Sequence, residues 1–439
     1  MKFPVSAVIY ILIFILKGNA QQIYSLEDCF NIARRNNIAI LKSRNDLQSA
    51  ILDKKAANNN LLPSLSAGAD HYFFDGKSID PVTNNYINDD FTGGSLGMSV
   101  DLNIFSGFTA LNSIKANLYK LKASDFAYRK TELEILSAVT IAYAKAMYSR
   151  EQVIIKESNG NITKHELDVT NEQITVGKLS KSEYYIINAR YTSESADLIE
   201  ARNDSLSAMN ELKYLLGLDS PINITGINEI EINNIISKNF ISADVVTTIL
   251  QKHPALLESV YMKKAGEMNL KVARGSLYPN ISVNGNLFSN YNNFETDING
   301  NKIPLGKQLD NNFGNSFGIV VQVPIFSKFQ NSIAIKKEKI NVLNAELSIR
   351  EVKNDISKNS EQLVNDFIAA KQKYILQAAA LEQSKLSYHA YEEKHQLSRI
   401  SSVELITAKD QLYSQQAKYA QAKYDLYFKY KLIELLMSM

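Results

Sequence analysis

From Leu96 to Ile104 apolar and polar side chains alternate, with Leu96, Met98, Val100, Leu102 and Ile104 set against Gly97, Ser99, Asp101 and Asn103. The same period returns at 317–325, where Phe317, Ile319, Val321, Val323 and Ile325 alternate with Gly318, Val320, Gln322 and Pro324. Two earlier segments, Leu65 to Phe73 and Ile281 to Leu287, keep the pattern more loosely, with Ser66, Gly68, Asp70 and Ser282, Asn284, Asn286 on the polar side. A period of two marks a strand with one apolar and one polar face. Nine or ten such residues suit a tilted strand that shows lipid on one side and water on the other. Long loops at 75–94 and 290–315, rich in Asn, Asp and Gly, join the members of each pair, as expected of loops outside an outer-membrane barrel.

Elsewhere the period is helical. Leu363, Phe367, Ala370, Tyr374, Ala378 and Leu381 form one apolar stripe at spacings of three and four, the seam of an amphipathic or coiled-coil helix. No Pro or Gly follows Pro324, and the absence of both helix breakers favours very long helices. A helix of close to 70 residues is expected after each hairpin, roughly 100 Å long at about 1.5 Å per residue. A shorter return helix is expected from Ser180 to Leu216, stopped by Gly217-Leu218-Asp219-Ser220-Pro221. Another is expected from Asp244 to Leu277, with an irregular, Asn- and Ile-rich belt over 220–242 between them. Gly160 lies inside the first long helix and reads as a tolerated glycine or a kink, with a helix break as the alternative.

These elements occur twice. Leu62-Pro63-Ser64-Leu65 is echoed by Tyr278-Pro279-Asn280-Ile281, 216 residues on. Ile104-Phe105-Ser106 is echoed by Ile325-Phe326-Ser327, and Gly177-Lys178-Leu179-Ser180 with Glu183 by Ser398-Arg399-Ile400-Ser401 with Glu404, each 221 residues on. Repetition over this length implies two equivalent halves. Residues 21–230 form the first repeat, of helix, β-hairpin 64–105, long helix and return helix. Residues 231–439 form the second, with its hairpin at 280–326. Residues 1–20, with Lys2, an apolar run from Val5 to Leu16 and Gly18-Asn19-Ala20, read as a signal peptide cleaved before Gln21.

Removing Lys2 and Lys17 takes the formal charge of the chain from +2 to zero, which gives no bulk attraction to nucleic acid. The 23 Tyr and absent Trp suit surfaces that are apolar at one end and wet at the other. Cys29, the one cysteine, is preceded by Leu26-Glu27-Asp28, which is no lipid-attachment context and permits no disulfide. The five histidines have no metal-binding spacing, and no nucleophile, base and orienting group stand together. No enzyme activity, cofactor or metal is expected. Four strands cannot close a barrel, and open edges are forbidden in lipid. Either the sheet caps a soluble bundle, as in a periplasmic coiled-coil adaptor or structural protein, or several chains share one barrel. Three copies would supply 12 strands and a tube of helices beneath them.

Tyr24-Ser25-Leu26-Glu27-Asp28 with Asn36-Asn37, their counterpart His253-Pro254-Ala255-Leu256, Leu62-Pro63-Ser64-Leu65, Ile104-Phe105-Ser106-Gly107 and the Gly-x-x-Ser-x-x-Glu element at 177–183 together resemble the TolC family of outer-membrane efflux proteins. The resemblance covers essentially the whole chain after residue 20. It implies a homotrimer: a 12-stranded β-barrel in the outer membrane on a long α-helical barrel crossing the periplasm. Its implied partners are a periplasmic adaptor (membrane fusion) protein and an inner-membrane pump or exporter, in a tripartite efflux or type I secretion system. The resemblance further assigns Gly177, Ser180, Glu183, Ser398, Arg399 and Glu404 to the periplasmic tip and gate. Three copies of Glu404 would form a negative ring, and Glu183 would brace a neighbouring hairpin. The second half departs from the family pattern at Ser398, His395, Ile400 and Thr407.

Overall fold

The structure is a computed structural model that describes residues 23–79, 84–88, 90–397 and 399–438. The signal-peptide reading and Ser398 therefore fall outside the described residues. In chain order the first half runs β1 (Ile23–Tyr24), α1 (Leu26–Asn36), α2 (Ile38–Asn59), β2 (Ser64–Phe74), β3 (Lys77–Ile79), β4 (Tyr86–Asn88), β5 (Phe91–Ser106), α3 (Thr109–Thr175) and α4 (Lys181–Leu216). There follow β6 (Asn223–Ile224), α5 (Glu229–Ser237), α6 (Ser242–Lys252), α7 (Pro254–Gly275), β7 (Asn280–Asn292), α8 (Leu305–Asn311), β8 (Gly314–Gln322), α9 (Gln330–Gln396) and α10 (Ser402–Ser438). Both long helices, α3 and α9, contain 67 residues, and the return helices α4 and α10 contain 36 and 37. Helices α1 and α6 have 11 residues each, and α2 and α7 have 22 each.

Three expectations are corrected. The helix expected from Asp244 to Leu277 is broken at His253, because Pro254 disfavours the helical backbone before it and lacks an N–H. Helix α3 runs through Gly160 without a break, in keeping with the reading of a tolerated glycine and against the alternative of a helix break, since a single glycine costs only about 1 kcal/mol against dozens of packed residues. The segments read as loops hold secondary structure of their own: β3 pairs with β4, and α8 occupies 305–311. The last strand also ends at Gln322, ahead of its expected end at Ile325, because Pro324 has no donor for a ladder.

The family motifs acquire local physical roles. Ser25 and Asp28 form a capping box, in which Ser25 N donates to Asp28 Oδ2 at 2.9 Å and Asp28 N to Ser25 Oγ at 3.2 Å. Leu26 and Cys29 are thereby turned into the core. Asn37 caps α2 by accepting from Ala39 N at 2.9 Å, and its Nδ2 donates to Leu215 O at 2.8 Å. His253 repeats the first of these bonds, its Nδ1 accepting from Ala255 N at 3.3 Å. Gly217 ends α4 at φ 64°, and a Cβ there would lie 2.7 Å from Asn36 O. Only glycine tolerates both conditions.

Contacts divide the chain into two units: one of residues up to 46, 126–257 and 350 onward, the other of 47–125 and 258–349. Each draws on both halves of the sequence. The first unit has a core of Leu136, Val139, Leu212, Leu216, Phe367 and Leu426, joined by Ile232 and Ile249. The expected belt contributes to it: β1 pairs in parallel with β6, and Tyr143 Oη donates to Thr225 O at 2.8 Å. In the second unit β2, β5, β7 and β8 form one antiparallel sheet in that order.

Candidate functional site

Register sorts the sheet into two faces. One row across the strands reads Leu65, Val100, Gly285, Phe317, and the neighbouring row reads Ser66, Ser99, Asn286, Ser316. Rows on the first face continue with Ala67, Met98 and Leu287, and with Val283 and Ile319. The second face carries Ser64, Asp101, Asn284 and Gly318. A register shift between Asn103 and Phe105 drops Ile104 out of the ladder, a bulge at the strand's helix-proximal end. On the apolar face Leu65 is 66% and Phe317 75% exposed within the single chain. Among the described residues, neither β2 nor β8 has a partner on its outer edge. An apolar face of this kind suits an apolar surrounding, and open edges of this kind can pair with further strands.

The turns that precede α4 and α10 differ in chemistry. Gly177 adopts φ 76°, and Lys178 N bonds Gln173 O at 2.9 Å, closing α3. Ser180 starts α4 without a side-chain cap, its Oγ meeting Ser182 Oγ at 2.5 Å. Glu183 is half-buried in the first turn of α4. In the second turn Ser401 Oγ accepts from Glu404 N at 3.3 Å, and Glu404 Oε2 accepts from Ser401 N at 2.9 Å, a complete capping box. These hydrogen bonds hold the exposed Glu404 carboxyl below its usual range. Arg399 is exposed, its N–H bonded to Lys394 O at 2.9 Å, and His395 Nε2 lies 3.2 Å from Ser402 Oγ. Within one chain the structure thus brings Ser401 to Glu404, and leaves Glu183 and Arg399 apart from that box.

Sequence reasoning missed a buried ionic cluster farther along the same helices. Lys409 Nζ donates to Glu194 Oε1 at 3.1 Å and to Thr163 Oγ1. Thr163 Oγ1 also donates to Glu194 Oε2, and Arg190 reaches Glu194 Oε1 at 3.0 Å and Asp410. The side chains of Lys409 and Glu194 are 2% and 5% exposed. Burial pushes the Lys409 ammonium below the ordinary lysine range, and the Glu194 carboxylate opposes that shift. One signal was available: Leu405, Lys409 and Leu412 follow helical spacing, which places a lysine on an apolar stripe.

A family model described as outer membrane efflux protein matches residues 30–218 and, again, 245–433. The chain belongs to the outer membrane efflux protein family. The two matched spans are equally long and fall one on each half, as the internal repetition requires. Outer membrane protein TolC of Escherichia coli (strain K12) is 20% identical over 416 residues, 93% of this chain and 81% of that protein. Outer membrane efflux protein BepC of Brucella suis biovar 1 is 21% identical over 337 residues, 76% of this chain and 70% of that protein. Among solved structures, the Campylobacter jejuni CmeC outer membrane channel has a TM-score of 0.80 at 16% identity, covering 94% of this chain and 85% of its own. CusC is similar at a TM-score of 0.77 and 15% identity, covering 94% of this chain and 91% of its own. The efflux channel is thus an outer-membrane protein, mainly helical with a small sheet, of a family of transport proteins. Among the described residues no helix is long and apolar enough to cross a membrane. The resemblance read from the motifs holds over the length of the channel.

Proposed function

We propose that the channel acts as the passive exit duct of a tripartite efflux or type I secretion system. It assembles as a homotrimer whose sheets close into one 12-stranded barrel over a helical tube. The observation that carries this reading is the two-faced, open-edged sheet. Leu65, Val100, Phe317 and Ile319 on its apolar rows stay exposed within the chain, and three copies satisfy both edges without exposing backbone to lipid. Duplication fits the same assembly, since two like halves in three chains make a quasi-sixfold wall.

The turns around Gly177, Ser180, Glu183, Ser398, Arg399 and Glu404 form the periplasmic tip, which docks on an adaptor protein and through it on an inner-membrane pump or exporter. Three Glu404 carboxylates at the tip would make a negative ring that favours cations, their charge supported by the Ser401 hydrogen bonds. Sedimentation with outer membranes and a trimer band after mild solubilisation test the assembly; a monomer released by carbonate would refute it. Single-channel recording of Glu404→Gln tests the ring, because the amide can still accept from Ser401 but carries no charge. Reduced cation preference is expected, and unchanged selectivity would count against the ring.

A further inference from the structure

The two halves of the channel carry helices of matching length, and a 221-residue offset maps α3 onto α9 and α4 onto α10 end for end. Such duplication creates a docking ambiguity. Each return helix presents apolar residues toward a long helix and is tied to its own long helix by a short turn, so the ambiguity lies between hairpins: α9–α10 as a whole could take the place of α3–α4, or the reverse, while burying a similar area. Apolar burial is non-directional and discriminates poorly between two like helices.

The buried cluster does discriminate. It takes one member from α3, Thr163, two from α4, Arg190 and Glu194, and two from α10, Lys409 and Asp410. Moved by the repeat offset, Thr163 falls on Ser384, Glu194 on Gln415, Arg190 on Gln411, Lys409 on Asn188 and Asp410 on Ala189. Every charge of the cluster maps onto a neutral residue. An exchanged docking would bury Lys409 or Glu194 without its counter-charge, which is among the costlier errors a core can make. The correct docking buries them paired and hydrogen-bonded.

Stability alone does not account for these residues, since a buried ion pair is often matched or exceeded by apolar side chains of similar volume. The seam around it is also poorly suited to adding stability. A cavity of about 210 Å³ lies beside the cluster, lined by Arg190, Glu194 and Asp410, and Gln152 Nε2 and Asn159 Oδ1 on its wall are buried without a hydrogen-bond partner among the described residues. By contrast, nearer the turn that joins them α10 meets its own long helix mainly through an apolar patch of Leu381, Tyr388, Leu405 and Leu412, with the His395–Ser402 and Gln377–Gln415 hydrogen bonds on either side of it. That packing would serve either docking.

We propose that the Thr163–Glu194–Lys409 cluster is a registry key, which distinguishes α10 from its duplicate α4 and so fixes one arrangement of the two helix hairpins. This goes beyond the duct reading and does not depend on it, because it concerns helix docking and can be read without any channel activity.

Hydrogen exchange of the detergent-solubilised full chain, followed by mass spectrometry over residues 402–412, tests it. In Glu194→Leu/Lys409→Met the key is replaced by apolar volume. The thermal midpoint should stay within a few degrees of wild type, while exchange over 402–412 splits into two isotopic envelopes, one at least tenfold faster. In Asn188→Lys/Gln415→Glu, which leaves the native key intact and installs a second one at the equivalent positions, two envelopes are again expected. A single envelope at the wild-type rate in either variant overturns the proposal. If the first variant does not fold, the second decides alone. A wild type that forms no trimer would sink the duct reading and leave this readout intact.

Discussion

An arginine placed on either side of one sheet row provides a direct test of which face meets lipid. Val100 lies mid-ladder, with Leu65 and Gly285 as its partners, and Ser99 lies one residue away among Ser66 and Asn286. The two positions share strand and depth to within one residue, and differ in the face they occupy. Val100→Arg puts a guanidinium into hydrocarbon, at roughly 2–4 kcal/mol per chain near the midplane and so about 6–12 kcal/mol per trimer. Ser99→Arg points into water and should change stability by less than about 1 kcal/mol per chain. Urea unfolding in phospholipid vesicles, followed by intrinsic tyrosine fluorescence, measures both. The expected result is a large drop in midpoint for Val100→Arg and little for Ser99→Arg. Equal shifts, or a larger one for Ser99→Arg, would refute the assignment of faces and with it the membrane reading of the sheet.

Further outcomes follow from the helical unit. Gly217→Ala should destabilise by at least about 2 kcal/mol, from the left-handed backbone and the close approach to Asn36 O. Gly160→Ala, with open space around its Cβ, should stabilise by about 0.5–1 kcal/mol; denaturant midpoints of the pair check the contrast. Phe367→Ala removes a side chain 1% exposed that meets Phe240 edge-on, and should cost about 3–5 kcal/mol in the same assay. Burial raises the phenols of Tyr143, Tyr419, Tyr424 and Tyr427 above their ordinary value of 10.0. They stay neutral when folded while unfolded phenols ionise, so their contribution is complete below about pH 10 and is lost as pH rises further. The depressed Lys409 acts with the opposite sign, but it is one group against four. The thermal midpoint by circular dichroism should fall between about pH 10 and 12, and a flat profile would contradict the burial of these rings.

Much of this was legible in the sequence because period and punctuation are local. Alternation located all four strands of the large sheet, and the absence of Pro and Gly after Pro324 announced α9 and α10. What escaped notice depended on contacts distant in sequence or on single backbone details. The break at His253 was available from Pro254, but the long apolar periodicity masked it. The strand end at Gln322 was hidden because Val323 and Ile325 continue the alternation that Pro324 interrupts. The Glu194–Lys409 pair spans 215 residues, and only an out-of-place lysine on an apolar stripe hinted at it. Ahead of the return helices, the sequence showed two equivalent Ser-x-x-Glu turns, yet only Ser401 and Glu404 close the capping box.

That difference matters because the halves agree so closely elsewhere. Helix lengths cannot drift independently in such a pair: one residue added to α3 alone would rotate everything beyond it by about 100° and lift its apolar stripe off its neighbours. Length and stripe are therefore held in common, and divergence is confined to substitutions that leave the backbone in place. The cluster at Thr163, Glu194 and Lys409 is one such place, and the turns ahead of the return helices are another, where the second turn secures its glutamate and the first leaves Glu183 unengaged by its cap. The two glutamates, alike in sequence position, thus differ in local engagement: Ser401 fixes the Glu404 side chain at the start of α10, while Ser180 makes no side-chain cap at the start of α4. The same Ser-x-x-Glu spacing yields a rigid charge in one half and a carboxylate free of its own cap in the other.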